Sequence, residues 1–127
     1  MPIVAAVAAA VAGLVHVYFF VLESLWFDRP NVAARFGLRT TEQIATIRPM
    51  AFNQGFYNLF LAIGIVGGLT LVAVGSVDAG RAVVLFACAC MAGAGLVLLG
   101  TNRRFARSAA IQALPPLVAI AATLVLK

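Results

Sequence analysis

Charged residues punctuate this chain so unevenly that they leave four long uncharged runs, at residues 3–22, 50–77, 82–102 and 108–126. The runs are 20, 28, 21 and 19 residues long, and about 20 apolar residues in a helix cross the hydrocarbon core of a bilayer. The whole chain has only nine Lys and Arg, four Asp and Glu and one His, while 64% of its 127 residues are apolar and the mean hydropathy is +1.07. A soluble domain is roughly half apolar and a quarter charged, and a small one still exposes roughly a third of its surface to water. A water-soluble fold is therefore excluded, and so is a disordered chain, which needs low hydrophobicity. Outer-membrane strands would be about half as long and would alternate polar with apolar residues.

The expected architecture is all-α: a polytopic integral membrane protein with four transmembrane helices in an antiparallel bundle. It forms a single domain over residues 1–127, with spans near 3–27, 51–75, 82–102 and 108–126 and an amphipathic loop at 28–50. The first run is read as a mature helix, because no positive charge precedes it as it would in a secretory signal. Pro30 can open a short helix that Gly37 ends, and Thr40 with Gln43 reads as a capping box. Pro49 marks an expected break or kink before the second span, and Pro115-Pro116 a kink in the fourth. Small residues at Gly93, Gly95 and Gly100 would let another helix approach the third.

Arg29, Arg35, Arg39, Arg48, Arg103, Arg104 and Arg107 occupy the first and third loops, against Arg81 and Lys127 on the other side. By the positive-inside rule the first and third loops are cytoplasmic and both termini are outside. The net charge of +5 is explained by this rule and by attraction to anionic headgroups, with no need for nucleic acid. Cys88 and Cys90, two apart on a helix, point to different faces, which argues against a shared metal or a mutual disulfide.

The polar residues within the spans carry the functional signal. His16 and Glu23 share a stripe with Ala9, Gly13, Phe20 and Phe27 along the first helix, about 10 Å apart by the helical rise. The second helix has Gln54 and Asn58 on one face with Asn53 and Tyr57 beside it, and Asn58 falls at the depth of Glu23. Gln112 enters the fourth helix at a similar level, and Asn102, Arg103 and Arg104 close the third. This layer predicts a polar pocket in the cytoplasmic half, with His16 at its floor, the three residues 102–104 at its rim, and His16, Glu23, Asn53, Gln54, Tyr57, Asn58 and Gln112 forming a substrate or proton site. Taken singly, Gln54, Asn58 and Gln112 also read as interhelical glue.

The strings HVYFFVLESLWF (residues 16–27), NQGFYN (53–58) and QALPPL (112–117) resemble the signature blocks of a bacterial family of small four-helix membrane proteins, catalogued as domain of unknown function thirteen-oh-four. The chain has Ala113 where that family commonly has Gly. The resemblance covers nearly the whole chain and implies the same architecture in the bacterial inner membrane. It points at His16, Glu23, Asn53, Gln54, Asn58 and Gln112, and implies no activity.

Three functions compete at this level. The leading one is binding or transport of a small molecule or ion, with His16 able to exchange protons near neutral pH; four short helices enclose little space, so a homo-oligomer, dimer or trimer, is expected. An integral-membrane enzyme acting on a lipophilic substrate is the alternative, since the layout is similar to that of membrane glutathione transferases, although their Arg-rich motif is missing from NQGFYN. A structural subunit of a membrane complex is the third. No cofactor and no metal site is expected, and the partners are the lipid bilayer and an unidentified small or lipophilic ligand.

Overall fold

A computed structural model describes residues 1–126 and is helical almost throughout. Its elements are α1 (Ile3–Phe20), which runs into one turn of π-helix at Val21–Leu25, then α2 (Pro30–Arg35), α3 (Thr41–Ala73), α4 (Val77–Thr101), a 3-10 turn at Arg103–Phe105, and α5 (Ala106–Val125). Among the described residues there is no strand. Four stretches, Ile3–Leu25, Thr41–Ala73, Val77–Thr101 and Arg103–Val125, are long and apolar enough to cross a bilayer. The protein is an all-α, multi-pass membrane protein. The chain divides into two compact units, one made of Met1–Val15 with everything from Leu61 onward, the other of His16–Phe60.

The first unit is built on small residues. Its core gathers Ala9, Ala12, Ile65, Val84, Ala87, Cys88, Met91 and Ala119, while Leu14, Val66, Phe86, Leu96 and Leu124 point outward. This is the reverse of a water-soluble helix, where the large apolar side chains would be inside. Lipid is as apolar as Leu, so helices in a bilayer gain by close approach of small residues rather than by hiding large ones. α3 and α4 come close together where Gly68 meets Gly80: a Cβ on Gly80 would stand 2.5 Å from the Gly68 carbonyl oxygen. Gly75, with φ of 96°, turns the chain between them, and the amides of Ser76 and Gly75 return to the Leu71 and Val72 carbonyls in a Schellman motif.

α4 and α5 run antiparallel: Gly95 lies against Ala109 and Ala113, and further along Arg81 Nη2 donates to the Thr123 carbonyl at 3.3 Å. Arg81 thus sits where the last turn of α5 offers unpaired carbonyls and partial negative charge. Of the three glycines expected to admit a neighbouring helix, only Gly95 does so. Gly93 and Gly100 face open space, because they lie on other sides of the same helix. Pro115 and Pro116 are carried inside α5, with Pro116 buried.

In the second unit the short elements read from the sequence are present. Pro30 opens α2, and Gly37, with φ of 78°, closes it through bonds from Leu38 N and Gly37 N to the carbonyls of Ala33 and Ala34. The capping box is complete: Gln43 N donates to Thr40 Oγ1 at 3.1 Å, and Gln43 Oε1 accepts from Thr40 N at 3.2 Å and Arg39 N at 2.9 Å. Thr40→Ala should cost about 1 kcal/mol at this end of α3, read as roughly fivefold faster amide exchange at Gln43.

Pro49 does not break the second helix as expected. It lies within α3, which runs unbroken from Thr41. Proline removes one helical bond, here to the carbonyl of Ala45, and both residues are exposed, so the orphaned acceptor stays within reach of polar surroundings. Residues 41–50 are thereby the first turns of α3, so of the two readings of the Thr40–Gln43 capping box, a separate short helix or an extension of the second span, the extension is the one present.

Candidate functional site

The site is built where α1 gives way to the π-turn. An i to i−5 bond, Trp26 N to Val21 O at 2.9 Å, marks the wider turn, a geometry that recurs at functional positions because it re-aims neighbouring side chains. Here it carries Glu23 and Ser24. Ser24 Oγ donates to the carbonyl of Phe52 at 2.8 Å, and Glu23 Oε1 accepts from Asn58 Nδ2 at 3.1 Å. Two adjacent residues of the turn thus both reach α3, at positions six residues or about 1.7 turns apart along it.

The close contact is possible because α3 presents Gly55. A Cβ at that position would overlap Ser24 Oγ and stand 3.0 Å from Ser24 Cβ. Around it Ala51, Gly55 and Asn58 are buried at helical spacing, forming the inner face of α3. On one flank Phe20 meets Phe56 edge-on at 5.1 Å, and Phe52, Phe56 and Phe60 form a ladder.

His16 is fully buried, its ring edge-on to Phe19 at 5.4 Å. Seven residues, about 10 Å of helix, separate it from Glu23. Asn58 is buried and Glu23 half-buried. Asn53, Gln54 and Tyr57 are exposed on the chain, since the inner face of α3 turns the other way.

The remaining predicted residues belong to the first unit. Gln112 is half-buried on α5. Asn102 is exposed and caps the 3-10 turn, its Oδ1 accepting from Arg104 N at 3.2 Å; Arg103 and Arg104 are exposed, with Arg104 over the Phe105 ring at 5.9 Å. Among the described residues, no three His, Cys, Asp or Glu side chains gather as metal ligands.

Of the predicted set, the structure joins Glu23 to Asn58, the pair placed at one depth by counting turns. It adds Ser24 and Gly55, neither of them among the residues expected from the sequence. The signal was a small hydroxyl beside the only acid in the first span and a glycine inside NQGFYN, a pair of small residues suited to close helix contact. Charge at the neighbouring loop is modest in effect: Arg48 and Asp28 approach to 3.6 Å with both side chains more than half exposed, and such pairs contribute little.

No curated protein and no solved structure matches the chain. A family model matches residues 10–124 and therefore takes in α3 and α4 entirely, nearly all of α5 and the second half of α1. On that match, the chain belongs to the family described as "Protein of unknown function (DUF1304)".

Proposed function

We propose that this membrane protein binds, and carries across its bilayer, a small molecule or ion at a polar pocket beside Glu23 and Asn58, with Glu23 taking up and releasing a proton in the cycle. The observation that carries this reading is the Glu23–Asn58 hydrogen bond inside an apolar span. A carboxyl group there is expensive, and membrane proteins retain one where it faces a partner or a path. A tie between α1 and α3 does not require it, because Ser24 already supplies one at no cost in charge. Asn58 engages one carboxyl oxygen and leaves Oε2 for a second donor. His16, farther along the same helix, supplies a second group able to exchange protons.

The exposed amides of Asn53 and Gln54 and the exposed phenol of Tyr57 favour completion of the pocket by a second copy of the chain. By the positive-inside rule the basic first loop supports a cytoplasmic position for this pocket, in an inner membrane.

Native mass spectrometry of the protein purified in mild detergent tests this. Wild type should fly as an oligomer with a co-purified small molecule, and Glu23→Gln, which keeps an acceptor for Asn58, should lose that added mass while its thermal midpoint stays within a few degrees. A protein that arrives empty, or an adduct that survives Glu23→Gln, overturns the reading. Loss of oligomer and stability in Glu23→Gln with no effect on an adduct would assign Glu23 to structural glue instead.

A further inference from the structure

Arg35 has a constrained position that the proposed pocket does not use. α2 buries Val32 and Ala33, and the Phe36 ring packs on the buried Phe27 at 5.3 Å. With that face anchored, Arg35 extends the other way and its Nη1 donates to Tyr18 Oη at 2.8 Å. Tyr18 lies within the apolar span Ile3–Leu25, about 10 Å short of its end by the helical rise, and is 45% exposed. The guanidinium is therefore drawn toward the acyl side of the interface, where a long cationic side chain would ordinarily stretch toward water.

The charge has no counterion in its own unit. Glu23 is engaged by Asn58 and Asp28 pairs with Arg48, while Glu42 stands exposed in the first turn of α3; among the described residues no salt bridge includes Arg35. Arg29 does not relieve it, being a second cation stacked over Trp26 at 4.3 Å. The exposed guanidinium is thus open to an anion from outside the chain. At this level of a bilayer the available anion is a phosphodiester, whose geometry matches the guanidinium fork. Tyr18 adds to the match: its oxygen accepts from Arg35, so its own hydrogen is left to donate to a phosphate oxygen. Leu25, Trp26 and Phe36 are exposed beside the segment and suit the acyl and glycerol region next to such a headgroup.

We infer that Arg35 and Tyr18 form a binding site for the phosphodiester headgroup of an anionic phospholipid. The site is independent of the proposed pocket and stands if that reading fails.

The test is native mass spectrometry of protein released from nanodiscs of mixed phosphatidylglycerol and phosphatidylcholine, counting retained lipids. Wild type should retain phosphatidylglycerol selectively. Arg35→Gln should weaken that retention about tenfold and Tyr18→Phe about threefold, as expected for a charge-assisted and a neutral hydrogen bond. Arg35→Lys should also lose most of the selectivity, since the fork is gone while the charge remains. Arg48→Gln should leave it unchanged. The inference is overturned if Tyr18→Phe and Arg35→Lys both retain lipid as wild type does, or if Arg48→Gln loses as much as Arg35→Gln, because loop charge alone would then account for binding. Displacement of the lipid by millimolar inorganic phosphate would overturn the lipid assignment in favour of a free-phosphate site. Tyr18→Phe changes no charge and little volume, so it decides the matter even where Arg35→Gln fails to fold.

Discussion

Gly80→Val should separate α3 from α4 and cost about 3 kcal/mol, the upper end of what overpacking a tight contact does. The reason lies in what the new side chain would meet. Its Cβ would stand 2.5 Å from Gly68 O and 2.7 Å from Val72 N, atoms of another helix's backbone that cannot rotate away. The reciprocal site behaves alike, since a Cβ on Gly68 would meet Gly80 O at 3.0 Å and Val84 N at 3.1 Å. Replacing a helical glycine by alanine ordinarily favours the helix by up to about 1 kcal/mol. Gly67 and Gly93 have nothing within 4 Å and provide the control: alanine there should be neutral or stabilising, whereas alanine at Gly68 or Gly80 should destabilise. Reversible unfolding in mixed micelles measures all four. Equal midpoints for Gly67→Ala and Gly80→Ala would show that the close approach contributes nothing.

A methyl group at Gly55 should have the second-largest effect, and here it reaches the candidate site. Gly55→Ala forces Ser24 out of its seat, breaks its bond to the Phe52 carbonyl, and shifts the π-turn that presents Glu23 to Asn58. We expect a loss of about 2 kcal/mol, within the range for overpacking. Ser24→Ala alone removes one hydrogen bond and should cost about 1 kcal/mol. The double variant should recover part of the Gly55→Ala loss and not all of it, because the overlap with Oγ disappears while Ser24 Cβ and N remain 3.0 and 3.1 Å from the new carbon. A double-mutant cycle on unfolding midpoints gives the coupling directly. Strict additivity would mean that the two residues do not share a contact. The same variants connect packing to function: Gly55→Ala should lose the co-purified small molecule expected of wild type, since Glu23 is no longer held opposite Asn58.

Much of this was open to a reader of the sequence. Charge spacing marked four spans, because burying an unpaired charge in hydrocarbon costs more than a helix of that length can offset. Thr40 with Gln43 and Pro30 with Gly37 specified their own local structure, since a capping box and a helix closed by a left-handed glycine need only residues three to seven positions apart. The common depth of Glu23 and Asn58 follows from counting turns inward from the polar end of each helix, whereas the hydrogen bond between them is visible only in the structure. Pro49 does not break α3, because proline costs a helix interior only one bond and the acceptor left behind is exposed.

What the sequence determined alone, then, is the membrane setting and the number of long apolar helices, both fixed by transfer free energy and helical rise. Tertiary structure decided which small residues touch. Gly95, Gly68 and Gly80 are at contacts while Gly93 and Gly100 are not, and composition cannot distinguish them, because the choice depends on how each helix is rotated about its axis. It also decided that α1 yields to a π-turn, which sets Ser24 against Gly55 and leaves Glu23 facing Asn58. And it brought Arg35 to Tyr18, seventeen positions earlier in the chain. In a bilayer, where apolar side chains gain nothing from one another's company over that of lipid, such rotations are settled by close packing and a few hydrogen bonds, and those exist only once two helices have met.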